Sequence, residues 1–417
     1  MQITNVTTLE TEEWSELAAH IKPVSEAEPM ALYFRFTGLD TPIRSAIDPF
    51  VLACLQISML EQETIESAGD LDPVLVDGLA RGQEVQTEWF DYLTTTPIVR
   101  VSAEEKGAEA GAAATARADA VACCFSGGVD SWYSLIKNRE SVTHLLLIRG
   151  FDIDLKNHRL WDETLNHARQ VAEALGLRLI TCETNIRSIA DPRHRRWGRP
   201  FDGDFWGQCL HGAALAAVGH AASDTIGTLI VPATHTIEQF KPWGSSPALD
   251  SHWSGSRLTI LHDGCELDRV RKVFEIADHA VAIQNLRVCH NNTTELNCCR
   301  CEKCIRTMIA LKLCGALHRA TTFPDHHALA KLHRLDVPPH LLHHYEALLS
   351  AAEEFGNREM VHVLEVILGR RFSVERAVAT GIRALRHPGR RRDPIQNAPV
   401  VRSAENTSTK RQDAGAD

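Results

Sequence analysis

The sequence predicts an α/β fold built on a parallel sheet, and three observations lead to this prediction. From Val121 onward, apolar β-type segments alternate with segments whose apolar residues recur at helical spacing, an order typical of a parallel sheet covered by helices on both faces. The first of these strands runs directly into Ser126–Ser131, a glycine-rich turn that opens a helix. A group of closely spaced cysteines, within residues 289–304, follows the sheet and is typical of a metal-binding segment.

Residues 1–103 are predicted to form a small N-terminal α+β domain. Ala31–Phe36 and Thr96–Val101 have strand patterns, and Asp72 followed by proline is typical of a capped helix start. Pro49–Leu60 is so apolar that periodicity does not decide between strand and helix. No catalytic constellation is visible in this domain. Three roles stay open for it: substrate positioning, a contact in a homodimer, and cover of the sheet.

A shift in composition marks the start of the main domain. Residues 104–118 are rich in alanine and glycine and have no large apolar side chain, which predicts a linker. The main domain is predicted at 119–320. Its predicted strands are Val121–Phe125, His144–Ile148, Arg178–Glu183 and Thr225–Pro232, and its predicted helices include Leu160–Leu175 and Phe205–Ala222.

The last hundred residues are predicted to add helices and a tail. Residues 321–386 have a series of helical patterns, which predicts a helical extension. Their many histidines are expected on solvated helix surfaces: His326, His327, His333, His340, His343 and His344. Residues 387–417 lack the apolar residues that a core needs, so this tail is expected to be disordered.

The segment Ser126-Gly127-Gly128-Val129-Asp130-Ser131 has the chemistry of an anion site. Two glycines let the backbone adopt positive φ and approach a ligand closely. The unpaired N–H groups of the helix start then point at that ligand, with the positive end of the helix dipole behind them. The serine hydroxyls are further donors, and Asp130 is suited to cap the helix or to hold Mg²⁺. The alternative is a glycine turn without a ligand.

The motif SGGVDS after an apolar strand resembles the PP-loop of the N-type ATP pyrophosphatase superfamily. The resemblance implies an adenine nucleotide α-hydrolase-like fold and cleavage of ATP between its α and β phosphates. It implies that Ser126, Gly127, Gly128, Val129, Asp130 and Ser131 hold ATP and the departing pyrophosphate with Mg²⁺. Asp130 and Ser131 are then also candidate catalytic residues, with an adenylated substrate as the intermediate.

A charged helix after the last strand often completes the site in related PP-loop enzymes, and the match here is loose. Lys272 is the candidate catalytic residue on this helix. Asp263 and Glu266 are further candidates near it. Arg269 and Arg271 are expected on an exposed charged face, since runs of charge usually face water.

Four cysteines form the pattern Cys-x8-Cys-x2-Cys-x2-Cys, and this spacing predicts a tetrahedral zinc site. The predicted ligands are Cys289, Cys298, Cys301 and Cys304. A chance cluster of reduced thiols and an iron–sulfur cluster are the alternatives. The neighbouring Cys299 is placed to exchange roles with Cys298.

The pairing of SGGVDS with this cysteine pattern resembles the 7-cyano-7-deazaguanine synthase family. In that family the zinc is structural, and ATP drives conversion of a carboxylate, through an adenylate and an amide, to a nitrile. The chain departs from the family in its long N-terminal region, its helical extension and a long polar loop through Trp243 and Trp253. These departures leave the substrate open.

The resemblance therefore implies an ATP-dependent ligase that adenylates a small-molecule carboxylate for attack by ammonia or an amine. One alternative is a sulfur transferase, which needs a reactive thiolate, and Cys209 and Cys265 are the candidates for it. Another alternative is a non-catalytic nucleotide-binding protein. Substrate contacts are considered for residues of the long polar loop, namely His235, Glu238, Lys241, Trp243, Asp250, His252 and Trp253.

Composition limits the partners and the compartment. The net charge is -10 and the pI is about 6.1, which disfavours a long nucleic-acid interface. The strongest basic segment, Asp191–Arg199, is expected to be a solvated loop, with contact to an acidic ligand as the alternative. The N-terminus has no secretory pattern and no run is long enough for a membrane span. Twelve cysteines, five within residues 289–304, suit metal ligands in a reducing compartment, so we expect a cytoplasmic protein.

Overall fold

A computed structural model describes residues 1–101, 117–196, 205–291, 295–335 and 337–369. Most of the predicted linker, part of the predicted helical extension and the whole predicted tail lie outside these residues. The strands are β1 (Gln2–Glu10), β2 (Ser15–Lys22), β3 (Met30–Thr37), β4 (Ile65–Ser67), β5 (Ile98–Arg100), β6 (Val121–Cys124), β7 (His144–Arg149), β8 (Arg178–Thr184), β9 (Thr228–Pro232) and β10 (Thr259–Asp263).

The helices lie between and after these strands. They are α1 (Asp48–Glu61), α2 (Pro73–Trp89), α3 (Val129–Lys137), α4 (His158–Leu175), α5 (Ile186–Arg196), α6 (His211–Ala221), α7 (Arg269–Ile276), α8 (Ala280–Gln284), α9 (Glu302–Leu313) and α10 (Leu342–Glu354). A π-helical turn, Trp206–Leu210, leads into α6, and a last helical stretch covers 358–369. In the described part of the chain, no helix has the length and apolar character to cross a membrane.

The described strands form one sheet in the order β10-β9-β6-β7-β8-β3-β2-β1-β4-β5. The five strands from β6 to β10 pair in parallel with their neighbours in this group. The chain moves outward from β6 to β7 and β8, then crosses to β9 and β10 on the other side of β6. The predicted α/β class with a large, mostly parallel sheet is therefore confirmed.

Alternation along the strands divides the core between the two faces of the sheet. Ala122 and Cys124 of β6 pack into the apolar cluster that includes α1 and α6. Cys123 of the same strand packs on the other face, into the cluster that includes α3, α7 and α9. Because neighbouring residues of a strand point to opposite faces, a nearly continuous apolar run is the expected pattern for a strand buried on both sides.

Residues 1–100 extend the same sheet. Strand β3 pairs antiparallel with β8, with Phe34 opposite Thr184 and Phe36 opposite Cys182. Helix α1, whose type the sequence left open, packs against α6 and is buried at twelve of its fourteen positions. A helix buried all round has no amphipathic stripe to detect. Met1–Leu368 thus belongs to one compact unit, and the domain boundaries inside it stay a prediction.

Three strands of this region escaped prediction, namely β1, β2 and the short β4. Strand β2 alternates, with Leu17, Ala19 and Ile21 buried, whereas β1 is almost fully exposed apart from Ile3. The polar residues on the outer side of both strands hid the period-two pattern. After the cysteine segment, α9 begins at Glu302, and within the predicted helical extension His327–Arg334 form a 3-10 helix.

Candidate functional site

The glycine turn lies at the carboxyl end of β6, where the strand order reverses. The chain leaves β6 toward β7 on one side and returns to β9 on the other, and ligands of open α/β sheets bind at such a switch point. Gly127 has φ +76°, a conformation that favours glycine. Its carbonyl accepts the Arg287 N–H at 2.7 Å, which ties the turn to the segment that precedes the cysteine cluster.

Local hydrogen bonds shape the turn and the start of α3. The Gly128 N–H donates to Ser126 Oγ at 3.3 Å, and Ser131 Oγ donates to the Gly128 carbonyl at 2.9 Å. Gly128 is the N-cap of α3 and has no side chain to accept from the first-turn N–H groups. The N-terminus of α3 is therefore left with donors that an anion can use.

Asp130 lies in the first turn of α3 and pairs with two cations of α7. Arg269 Nη2 donates to Asp130 Oδ2 at 2.5 Å, and Lys272 Nζ lies 3.5 Å from Oδ1. Burial acts to raise the pKa of Asp130, but Arg269 and Lys272 outweigh burial and hold the pKa below its ordinary value. Asp130 is thus an anionic carboxylate at neutral pH.

Lys272 is fully buried and joins the loops after β6 and β9. Its Nζ donates to the Ala233 carbonyl at 2.7 Å while it faces Asp130. A Cβ added at Gly264, after β10, would lie 3.5 Å from this nitrogen. The candidate Lys272 therefore lies where the carboxyl ends of three parallel strands meet.

Two further cations lie near Arg269 and Lys272. Together with Arg269 and Lys272, the α9 residues Lys303 and Arg306 form what we call the basic cluster. The pKa of Lys303 is lowered mainly by burial and secondly by the charge of Arg269. Burial and Arg269 also lower the pKa of Arg306, to about 10. Mutual repulsion in a half-buried group of cations favours an anion bound among them.

The sequence expectation was wrong for Arg269, which was assigned to an exposed helix face. Its side chain is only 17% exposed because it pairs with Asp130. Arg271, expected on the same face, is 39% exposed and pairs with Glu354 of α10. Lys303 and Arg306 were not predicted. They are three residues apart on a helix that starts within the cysteine segment, so they lie on one face of that helix, and this spacing was the available signal.

Histidines of α10 and of the loop after β9 border the basic cluster. His344 is buried, contrary to the expectation of a solvated surface. Burial, and then Arg306 and Arg269, lower the pKa of His344, so the ring is neutral at pH 7. The rings of His343 and His344 lie 3.9 Å apart, and that of His235 lies 6.3 Å from His343. Burial, and then Lys241 and Arg269, lower the pKa of His235 to about 3.

The long polar loop divides into an outer and an inner part. Lys241 Nζ lies 5.0 Å from the ring centre of Trp243, within cation–π range. Asp250 and Trp253, considered as substrate contacts, are fully buried instead. Asp250 Oδ2 accepts from Ser245 Oγ at 2.6 Å and lies 2.7 Å from His262 Nδ1. The inner part therefore belongs to the core under β10.

His262 connects Asp250 to Cys265. Burial lowers the pKa of His262, but hydrogen bonds with Asp250 and with the Cys265 thiol outweigh burial and raise the pKa to about 9. The imidazole is therefore protonated at neutral pH. Cys265 is half-buried and directly follows Gly264, so this thiol lies beside the Lys272 region.

The candidates Asp263 and Glu266 take part in a separate ion-pair group. Lys137 Nζ lies 3.0 Å from Asp263 Oδ1 and 2.6 Å from Glu266 Oε1. Tyr133 Oη donates to Glu266 at 2.7 Å. These contacts give both carboxylates cationic or hydroxyl partners away from Asp130. The basic segment Asp191–Arg199 lies almost wholly outside the residues whose side chains are described.

The four predicted cysteine ligands come together, and their ligand atoms all lie within 4.8 Å of one another. Cys289 Sγ and Cys301 Sγ are 3.8 Å apart, close to the separation of about 3.8 Å that Zn–S bonds of 2.3 Å give in a tetrahedron. Hydrogen bonds from Cys301 and Cys304 lower the pKa of Cys289, which favours a thiolate. A four-thiolate set of this size is compatible with zinc.

Cys299 points away from this set. It has φ +55°, and its sulfur lies 3.6 Å from the Asn297 carbonyl oxygen. The Asn297 side chain accepts the N–H groups of Val288 and Cys289 and thereby holds the first ligand in position. The structure brings together Cys289, Cys298, Cys301 and Cys304 without Cys299.

A small cavity adjoins the glycine turn on the β7 side. Phe125, Leu147 and Val171 contribute apolar walls, and His167 and Asn285 contribute polar groups. His167 Nδ1 lies 3.2 Å from Asn285 Oδ1. The cavity is apolar with a few polar atoms, and it has room for only a water-sized group.

Comparison of the chain with protein-family models, with curated proteins and with solved structures gives no match. Function must therefore be inferred from the geometry of the site and from its chemistry.

Proposed function

We propose that the chain is an ATP-dependent ligase of the PP-loop class. It adenylates a small-molecule carboxylate, releases pyrophosphate and passes the acyl group to ammonia or an amine. The observation that carries the proposal is the position of Ser126–Ser131, which opens α3 at the switch point of a parallel sheet with Asp130 beside two cations. A phosphate chain is the anion that such a helix start suits best.

The first chemical step is attack of the carboxylate oxygen on the α-phosphorus of ATP. The bond from that phosphorus to the bridging oxygen breaks, and pyrophosphate leaves with the electron pair. Main-chain N–H groups of Ser126–Ser131 and the cations Arg269 and Lys272 offset the growing negative charge, which is the usual role of fixed donors in phosphoryl chemistry. Asp130 would hold Mg²⁺ by exchanging its contacts with Arg269 and Lys272 for the ion, which would supply further charge neutralisation.

The second step transfers the acyl group. The nitrogen nucleophile attacks the carbonyl carbon of the adenylate, and AMP leaves with the electrons of the C–O bond. His235 and His344 border the site, but burial and the neighbouring cations disfavour their protonated forms, so the proton that the amine loses passes to solvent rather than to these rings.

The nucleotide and the metal have separate places in this proposal. The base would lie at the small cavity lined by Phe125, Leu147 and Val171, because this cavity adjoins the turn that would hold the phosphates, and the cavity must widen to admit the base. Cys289, Cys298, Cys301 and Cys304 would hold zinc as a structural ion, since four thiolates leave no open coordination position. A bound ion would hold the start of α9 in place and, with it, Lys303 and Arg306.

The test is carboxylate-dependent formation of AMP and pyrophosphate, measured together with exchange of labelled pyrophosphate into ATP across a panel of acids. Asp130→Ala is expected to abolish both, whereas Asp278→Ala, an exposed aspartate after α7, is the control and retains them. Full turnover by Asp130→Ala would show that the site is misassigned. Binding of ATP without AMP formation for any acid would favour a non-catalytic nucleotide-binding protein.

A second candidate, sulfur transfer to an adenylated carbonyl, is favoured by the His262–Cys265 contact. A half-buried thiol in hydrogen-bond contact with a histidine is an arrangement that a nucleophilic cysteine can use. Cys209, the other candidate thiol, is fully buried. Cys265→Ser separates the two functions: a ligase keeps its product yield with ammonia, whereas a sulfur transferase loses transfer but still forms AMP.

A further inference from the structure

We infer that a pocket between α7, α9 and α10 binds a small oxyanion, a carboxylate or phosphate group, through Arg306. The pocket is lined by Arg269, Arg306 and His344 together with apolar residues of the three helices. It is separate from the glycine turn, although Arg269 borders both. The binding of an oxyanion there does not depend on whether the chain forms AMP.

The state of Arg306 is the main observation. Its residue exposure is 6%, and its Nε and Nη1 atoms have no hydrogen-bond partner among the described residues. The nearest carboxylate contact is with Glu302 on the same helix, where Nε and Oε1 are 3.6 Å apart, beyond hydrogen-bond range. A buried guanidinium with unused donors is costly to the fold, and a bound oxyanion supplies the missing acceptors.

The surroundings select the sign and size of the ligand. Arg269 and Lys303 add positive charge next to Arg306, and Glu302 contributes one negative charge there. Asp130, which accepts from Arg269, lies at the glycine turn. The enclosed part of the pocket has room for no more than a water-sized group, and the rest of its space is open to solvent. The pocket therefore suits only the anionic end of a molecule whose remainder lies outside it.

The geometry of the donor favours a planar or tetrahedral oxyanion over a halide. A guanidinium presents two parallel N–H groups that match two oxygens of one carboxylate or phosphate. The apolar walls, which include Val270, Val273 and Leu348, exclude water and strengthen such a pair. Under the proposed function, the two natural sources of the group are the carboxylate of the acceptor and a phosphate of the nucleotide.

The experiment measures thermal unfolding and calorimetric binding of the full, zinc-loaded chain with inorganic phosphate or malonate, against chloride at equal ionic strength. Phosphate and malonate are expected to raise the unfolding temperature of the unmodified chain, and chloride is not. Arg306→Met is expected to lose this shift and to weaken binding at least about tenfold. Arg271→Met is the matched control, because Arg271 lies on α7 outside the pocket and has its own glutamate partner. This variant is expected to keep the shift in unfolding temperature and the affinity for the oxyanions.

Several results would overturn the inference. One is an unfolding temperature of Arg306→Met that phosphate and malonate raise as much as they raise that of the unmodified chain. The others are an equal rise with chloride, and no binding of phosphate or malonate to the unmodified chain. If Arg306→Met fails to fold, Arg306→Lys retains the charge without the two-pronged donor and is expected to bind about tenfold more weakly; normal binding by it would count against the inference. Pyrophosphate affinity then identifies the source: it falls in Arg306→Met if the pocket holds a nucleotide phosphate, and is unchanged if it holds the acceptor carboxylate.

Discussion

The pair of His262 and Asp250 makes the stability of the fold depend on pH in a way that a single substitution can test. His262 is 6% exposed at its side chain, and Asp250 is fully buried. The folded pKa of His262 is about 9, above the value of about 6.5 that an unfolded histidine has. A group whose pKa is raised by folding stabilises fully below its unfolded pKa and loses this effect as the pH rises to its folded pKa.

The magnitude follows from these two pKa values. At about 1.4 kcal/mol per pH unit, the shift corresponds to about 3 kcal/mol of unfolding free energy, present below pH 6.5 and lost by pH 9. The titratable groups that face the pair are Cys265, next to His262, and Cys124, near Asp250. His262→Gln removes the titrating ring and keeps a donor for Asp250.

The assay is urea unfolding, followed by tryptophan fluorescence, of the unmodified chain and of His262→Gln from pH 6 to pH 9.5. The unmodified chain is expected to be more stable at pH 6, with a difference that falls by about 3 kcal/mol by pH 9.5. Taking the difference between the two chains cancels the other thiols and histidines. A difference that stays constant with pH would refute the argument that His262 is protonated in the fold.

Two further predictions concern the metal ligands and the glycine turn. Cys298→Ser is expected to lower the zinc content from one ion per chain and to lower the unfolding temperature, while Cys299→Ser is expected to leave the zinc content and the unfolding temperature unchanged. Elemental analysis measures the first quantity and thermal unfolding the second. Equal loss of zinc in the two variants would contradict the ligand set. Gly127→Ala and Gly176→Ala both place a side chain at positive φ and are each expected to cost about 1 kcal/mol. Only Gly127→Ala is expected to weaken ATP binding, measured by calorimetry. Its added Cβ would lie 3.3 Å from Arg287, whereas a Cβ at Gly176 would face open space. Similar ATP affinities for the two variants would contradict a role for the turn.

The parts of the fold that sequence reasoning predicted well are set by local rules. Asp72 caps α2 through the N–H groups of Val74 and Leu75, and α4 ends at Gly176 in the left-handed conformation, both as the residue types indicate. The strands from β6 to β9 were found within a few residues because each is apolar and bounded by turn residues. The four cysteine ligands were found from spacing alone.

The parts that were missed depend on contacts distant in the sequence. Arg269 has the composition of an exposed helix residue, and only its pairing with Asp130, 139 positions earlier, buries it. Asp250 resembles a loop aspartate until β10 places His262 beside it. The polarity of a single segment carries no information about such partners, so the basic cluster could not be assembled before the topology was known.

The antiparallel junction of β3 with β8 has a consequence for how the chain can be divided. A chain beginning at Val121 would leave the main-chain N–H and C=O groups along β8 without the partners that Phe34 and Phe36 now provide. It would also uncover the face of α6 that α1 packs against. Open strand edges and bare apolar faces promote self-association. The first hundred residues thus act as a built-in protection against aggregation for the half that carries the glycine turn.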